Sequence, residues 1–92
     1  FMSAWGCWSL LESKRVVKLA DLTAAISIDA FNCQLEPFQS AIHQVRPHHG
    51  QLESALQVLK FLEGSEIASQ QKFNVQDPYS FRCVPQVHGA TR

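Results

Sequence analysis

The first third of the chain is its most constraining feature, because it contains no proline and only one glycine. From Phe1 to about Asn32, Gly6 is the single residue that disfavours a helix. Apolar residues recur in this stretch at steps of three and four, at Trp5, Trp8, Leu11, Val16, Leu19, Ala20, Leu22 and Ile26. Such steps place side chains on one face of an α-helix. We therefore predict a long N-terminal helix, interrupted at most near residues 18–21.

A second helix is predicted over residues 51–63. Its apolar stripe is Leu52, Ala55, Leu56, Leu59 and Leu62. Gly64 suits the position just past a helix end. Pro37 and residues 46–50 predict turns, and the polar stretch 65–74 reads as a connection. No useful strand-like alternation appears anywhere, so the predicted fold is all-α.

The length and composition limit the size of the hydrophobic core that this chain can form. It has 92 residues, of which 46% are apolar and 17% charged. A chain this short buries only a modest core, so we expect much of its apolar surface to face a partner. We interpret residues 1–92 as a single partial domain, cut at both ends from a larger protein. The formal net charge of zero and the lack of a basic cluster disfavour nucleic acid as a partner. No apolar run approaches the length of a membrane span.

The cysteines and histidines do not predict a metal site. Cys7, Cys33 and Cys83 are odd in number and widely spaced, which disfavours a disulfide framework and paired-cysteine zinc motifs. The histidines at 43, 48 and 49 fit no zinc spacing either. We expect free thiols in a reducing compartment, the cytoplasm, and no metal.

The segment from Gln76 to Cys83 carries the residues best suited to chemistry. Asp77-Pro78 is typical of a helix start, since an aspartate can accept first-turn N–H groups and proline is tolerated at the first helical position. Pro85 predicts the end of this short helix, at about residues 78–83. Tyr79 and Arg82 are three residues apart and share one face.

Arg82 is poorly placed there for stability alone, because the positive end of a helix repels a cation. A bound carboxylate would reverse this, since guanidinium and free N–H groups would both favour it. Tyr79 would then hold a hydroxyl able to donate or take a proton beside the anion. The spacing alone also fits a surface arginine over a packed tyrosine.

A longer pattern resembles a known family. The run Val75-Gln76-Asp77-Pro78-Tyr79-Ser80-Phe81-Arg82-Cys83, followed by Pro85-Gln86-Val87-His88-Gly89-Ala90, is similar to the signature of the histidine and aromatic amino-acid ammonia-lyases. Further stretches resemble the same family in the same order, at residues 20–25, 37–38, 42–43, 46–51 and 62–65. The resemblance covers essentially the whole chain and leans towards the histidine members.

The resemblance implies an all-α homotetramer that eliminates ammonia from an amino acid, giving urocanate from L-histidine. It implies a methylidene-imidazolone electrophile formed from an internal Ala-Ser-Gly. Carried onto this sequence, Arg82 would bind the substrate carboxylate and Tyr79 would assist the chemistry near the electrophile. Gln76 would contact the substrate or the electrophile region. Neighbouring subunits would complete the site.

The sequence departs from the family pattern in ways that limit what the chain can do. It has no Ala-Ser-Gly, since Ala68-Ser69 is followed by Gln70, and no counterpart of the family's basic loop tyrosine. We therefore expect these residues alone to be inactive. His88 stands where methionine or leucine is frequent and leaves the substrate preference open. A tyrosine or phenylalanine ammonia-lyase, a 2,3-aminomutase and a catalytically dead helical assembly module remain alternatives.

Overall fold

Every regular element of the structure, a computed structural model that describes all 92 residues, is helical. The helices are α1 (Met2–Ala30), α2 (Ser40–Gln44), α3 (His49–Phe61), α4 (Tyr79–Arg82) and α5 (Val84–Thr91), with a 3-10 turn at Glu36–Phe38 before α2. None of them combines the length and apolar character needed to cross a membrane. The predicted all-α fold, with a long first helix and a short late one, is confirmed.

Helix α1 runs without the interruption that seemed permissible near residues 18–21. Its 29 residues contain no proline, and the one candidate breaker in that stretch, Asp21, is fully buried and bonded to His88 of α5 and to Arg92 just after it. The helix ends where Asn32 adopts a left-handed φ of 56°, a conformation that asparagine tolerates better than most residues. Cys33 then donates its backbone N–H to the carbonyl of Ile28 at 3.0 Å.

The core lies between the last third of α1, helix α3 and the start of α5. Its buried apolar members are Ala25, Ile28, Cys33, Phe38, Ala55, Val58, Leu62 and Val84. Residues 1–20 contribute no buried side chain, so only the last third of α1 takes part in the core. Packing against this chain alone therefore explains only the end of the long helix.

Helices α3 and α5 form the most extensive contact between two elements. They meet at Gly50 and Gly89, whose backbones approach too closely for a side chain. A Cβ atom on Gly50 would lie 2.3 Å from the Gly89 carbonyl oxygen, and one on Gly89 would lie 2.3 Å from the Gln51 nitrogen. The two glycines thus set the distance between the helices.

The face that α3 buries differs in part from the predicted stripe. The helix begins at His49 rather than Gln51, and the fully buried positions on it are Ser54, Ala55 and Val58. Leu56, predicted to be in the core, is 49% exposed. Because α1 and α5 both pack against α3, the side of α3 that carries Ala55 and Val58 is the buried one.

Helix α5 contradicts the prediction that Pro85 ends the helical run. The break falls one residue before Val84, at Cys83, and a new helix begins at Val84 with proline in its first turn. Proline is compatible with that position because the first-turn N–H groups have no intrahelical acceptor. Pro85, which was predicted to end a helix, therefore lies in the first turn of one.

Candidate functional site

Helix α4 is held on the end of α1 by aromatic packing. The Phe81 ring lies 4.9 Å from that of Phe31, measured between centroids, and Phe81 also packs against the buried core. Since Phe81 faces inward, its neighbours Ser80 and Arg82 are left nearer the surface. One aromatic contact thus determines which residues α4 presents outward.

Asp77 does not cap α4 as predicted. The residue preceding the helix is Pro78, and no side chain bonds to the first-turn N–H groups. Asp77 is only 4% exposed, and its carboxylate instead accepts the backbone N–H of Gln34 at 2.5 Å. The aspartate therefore ties the start of α4 to the loop after α1, a partner 43 residues away that local sequence could not indicate.

Arg82 is oriented by a main-chain contact. Its Nε atom donates to the Asp77 carbonyl oxygen at 2.9 Å, and its two terminal nitrogens make no hydrogen bond within the chain. The helix itself has four residues, and peptide dipoles add with length, so little positive charge comes from the helix end. The anion-attracting group here is the guanidinium.

A groove of about 330 Å³ brings part of the predicted site together. Its lining residues are Gln34, Glu36, Pro37, Ile42, Gln76, Arg82, Cys83 and Gln86. Gln76 and Arg82 share this groove, whereas Tyr79 is not among its lining residues. The groove carries both an acidic and a basic group, Glu36 and Arg82.

Tyr79 lies beside the groove on the surface of the chain, 73% exposed. Hydrogen bonding to the Cys83 side chain, together with the negative charge that Cys83 can carry, raises the pKa of Tyr79 above its ordinary value of 10.0, and the Arg82 charge opposes this. At neutral pH Tyr79 is thus a protonated phenol. The Cys83 thiol beside it is half-buried.

The electrophile that the resemblance implies cannot be formed by these residues, because no Ala-Ser-Gly occurs among them. The exposed Tyr79 and the open groove are nevertheless compatible with such a group. The Tyr79 side chain and the polar side chains that line the groove lie on an outer face that no other part of this chain covers. The group would have to come from another part of the polypeptide or from another subunit.

Sequence reasoning missed a buried polar network that joins α1, α3 and α5. The Asp21 carboxylate contacts His88 Nδ1 at 2.7 Å and Arg92 Nη2 at 2.5 Å. Arg92 continues to the Glu53 carboxylate and the Ser54 hydroxyl, each at 2.9 Å. These partners are up to 71 residues apart, so no local pattern could reveal them.

His88 belongs to this network and does not line the groove. Of the other histidines, His48 and His49 stand at the start of α3, as expected of turn residues. His43 is buried, with Nδ1 2.8 Å from the Gln51 side-chain nitrogen. The histidines therefore act in packing and turns of this chain.

Comparison with known proteins finds one matching family and relatives that share one name. The model of the family described as aromatic amino acid lyase matches residues 1–92. A histidine ammonia-lyase of Caldanaerobacter subterraneus is 45% identical over 92 residues, which are 99% of this chain and 18% of the relative. Proteins with the same name from Treponema denticola and Streptococcus pyogenes are 40% and 38% identical, covering 98% and 99% of this chain.

The chain spans 18% of the length of each of these relatives. No solved structure matches it.

Proposed function

Because the chain belongs to the aromatic amino acid lyase family, we propose that it is part of an ammonia-lyase that converts L-histidine to urocanate and ammonia. The relatives that share 36–45% of its residues are named histidine ammonia-lyase, which favours histidine as the substrate. The proposal assigns substrate binding to the groove between the loop after α1 and helix α4.

The geometry of Arg82 is the observation that carries this proposal. Its Nε atom is engaged by the Asp77 carbonyl, and both terminal nitrogens are left without a partner in the chain. Two parallel N–H groups of a fixed guanidinium match the two oxygens of a carboxylate. An amino-acid substrate would thus be held by its α-carboxylate at Arg82.

Gln76 and Tyr79 take the supporting roles. Gln76 lines the same groove as Arg82, so its amide can contact the bound substrate or the group that activates it. Tyr79 projects beside the groove with its hydroxyl protonated at neutral pH, since its pKa is raised. It is therefore suited to donate a hydrogen bond or a proton near the departing amino group.

The rest of the site comes from outside these residues. A methylidene-imidazolone would supply the electrophile that makes the amino group a leaving group. The chain has no Ala-Ser-Gly from which to form it, so residues 1–92 alone should be inactive. We propose that the parent protein is a homotetramer in which neighbouring subunits complete the site. The reducing environment expected for its free thiols fits a cytoplasmic enzyme.

Turnover by the intact parent protein tests the proposal. L-histidine, L-tyrosine and L-phenylalanine are supplied separately, and the ultraviolet absorbance of the unsaturated acid is followed. We expect product from histidine, and a rise in KM of about a hundredfold for Arg82→Ala, as expected for losing a charge-assisted pair of hydrogen bonds. Arg15→Ala, which removes an exposed arginine paired with Glu12, is the matched control and should leave KM unchanged.

The other outcomes separate the alternatives. Product from tyrosine or phenylalanine alone would reassign the substrate, and a β-amino acid found by chromatography would indicate a 2,3-aminomutase. The absence of product from all three amino acids would favour a catalytically dead assembly module. Unchanged KM in Arg82→Ala would refute the carboxylate role of the arginine.

A further inference from the structure

Asp77 is a costly residue if its only role is to hold the fold. The residue is 4% exposed, one oxygen of its carboxylate accepts a single N–H group, and the other oxygen has no partner. Burying a charged group with unmet hydrogen-bonding capacity is unfavourable. A carboxylate accepts this N–H more strongly than a neutral acceptor would. Asp77 lies between the loop after α1 and helix α4, and this position suggests a further role for its carboxylate.

Asp77 joins the two walls of the groove. On one side its Oδ2 atom holds the backbone of Gln34, which lines the groove together with Glu36. On the other side its own carbonyl oxygen receives the Nε–H of Arg82. One residue thus holds the loop after α1 with its side chain and orients the arginine with its main chain.

A second contact reinforces this junction without replacing it. The Gln34 side-chain amide donates to the carbonyl of Asn74, three residues before Asp77. This contact fixes the approach of the segment, but it does not reach Arg82. If the Asp77 carboxylate were removed, residues 76–78 would be free to move relative to Gln34, and the carbonyl that orients Arg82 would move with them.

We propose that Asp77 is a positioning residue that acts through Arg82: its carboxylate fixes the separation of the groove walls and so aims the guanidinium at the substrate carboxylate. This inference rests on the proposed function of Arg82. It assigns no contact between Asp77 and the substrate. Its effect should therefore appear in KM more than in kcat, and only while Arg82 is present.

A double-mutant cycle in the intact parent protein, with L-histidine as substrate, tests the inference. Asp77→Ala should raise KM about tenfold, the effect of losing one hydrogen bond to a charged group. Asp77→Asn, which keeps an acceptor for the Gln34 N–H, should restore KM to within about threefold. In the Arg82→Ala background, Asp77→Ala should change KM less than about twofold. An undiminished tenfold effect there would overturn the inference.

Asp29→Ala is the matched control. Asp29 lies near the end of α1, and its carboxylate accepts the Ser65 hydroxyl at 2.5 Å, which holds the connection between α3 and α4 without a hydrogen bond to α4 itself. A general loosening of the connection would raise KM in both variants, whereas the proposed role predicts a rise for Asp77→Ala alone. Equal effects of the two variants would therefore contradict it.

Hydrogen exchange keeps this inference separate from the proposed function. The backbone amides of Gln34 and of residues 81–83, which are hydrogen-bonded in the chain, should lose protection in Asp77→Ala and keep it in Asp29→Ala. If the wild type gives no product, the proposed function fails, and this measurement alone decides whether Asp77 positions the groove walls. Unchanged protection in Asp77→Ala would refute that role.

Discussion

Two glycines determine, at the scale of single residues, how closely α3 and α5 can pack. A Cβ atom on Gly89 would stand 2.3 Å from the Gln51 nitrogen and 2.4 Å from its Cα atom, and backbone atoms cannot rotate away. We expect Gly89→Ala to lower the free energy of opening of α5 by about 3 kcal/mol, at the upper end of overpacking effects. Native-state hydrogen exchange of the α5 amides in the intact parent protein measures it.

Gly6→Ala is the matched control for that change. Nothing lies within 4 Å of a Cβ atom at Gly6, which is in the interior of α1. Alanine there should leave α5 untouched and stabilise α1 by up to about 1 kcal/mol through its higher helix propensity. Equal effects of the two substitutions on α5 would show that the close approach is unimportant.

Cys33 should be the least reactive of the thiols. Burial first, and the nearby Asp77 charge second, raise its pKa from 9.0 to about 11. At pH 8 its thiolate fraction is then about a hundredfold below that of an unperturbed thiol. We expect iodoacetamide to label Cys33 at least about a hundredfold faster in denaturant than in the native protein, with native labelling rising as the pH approaches 11. Similar rates in both conditions would contradict the burial of this thiol.

Residues such as Asp77 show where sequence reasoning stops. Asp77-Pro78 correctly predicted a helix start at this place, because proline restricts the backbone locally. The predicted partner of the Asp77 carboxylate was wrong, because tertiary packing brings it to the backbone N–H of Gln34, 43 residues away. Gln76 and Arg82, both predicted to be substrate-binding residues, line the same groove. Their roles in binding the substrate stay predictions.

At the scale of elements, the helices that could be predicted are those whose pattern is local. Helix α1 and helix α3 each repeat apolar residues over many turns, so periodicity alone was sufficient. Helix α5 was missed because Val84-Pro85 looks the same whether it ends one helix or begins another. The tertiary contacts at Gly89 and Asp21 distinguish the two, and neither is visible in an eight-residue segment.

The contact of α1 with α5 depends on the buried carboxylate of Asp21. Asp21→Ala would leave Arg92, whose side chain is 14% exposed, and His88 without their shared acceptor. Removing one partner of a buried ion pair costs about 3–5 kcal/mol, so α5 should lose protection by about that amount in hydrogen exchange of the parent protein.

The control for Asp21→Ala is a substitution in an exposed ion pair on the same helix. Glu12→Ala removes the partner of Arg15, whose side chain is 74% exposed, and should change the opening free energy by less than about 1 kcal/mol. If Asp21→Ala costs no more than Glu12→Ala, the network does not tie the helices together.

At the scale of the whole molecule, the chain is more extended than a complete small domain. Its accessible surface is 6746 Å², against about 5,400 Å² expected for its mass. Its radius of gyration is 14.8 Å, against about 12.3 Å for a compact chain of this length. Only 13 of 92 residues are buried, while Trp5 and Trp8 are 67% and 58% exposed. The length of α1, a single helix of 29 residues, accounts for this shape.

The exposed face of α1 predicts how residues 1–92 behave when expressed alone. We expect concentration-dependent association or a loosely helical state, because exposed aromatic side chains favour contact with other molecules. Light scattering after size-exclusion chromatography and a thermal melt followed by circular dichroism measure both. Replacing Trp5 and Trp8 together with glutamate should reduce the association, whereas Lys14→Glu on the same helix should not. A wild-type monomer with a sharp cooperative melt would contradict the expectation.

Arg82 is proposed to recognise the negative charge of the substrate carboxylate. Inhibition of the intact parent protein by urocanate and by its carboxamide tests this most directly, because the two molecules differ in that negative charge and otherwise have closely similar shape. The wild type should bind urocanate tens of times more tightly than the amide, and Arg82→Ala should bind the two within about threefold of each other, since hydrogen bonds to charged groups are worth about 1.5–3 kcal/mol. An unchanged preference for urocanate in Arg82→Ala would contradict the claim.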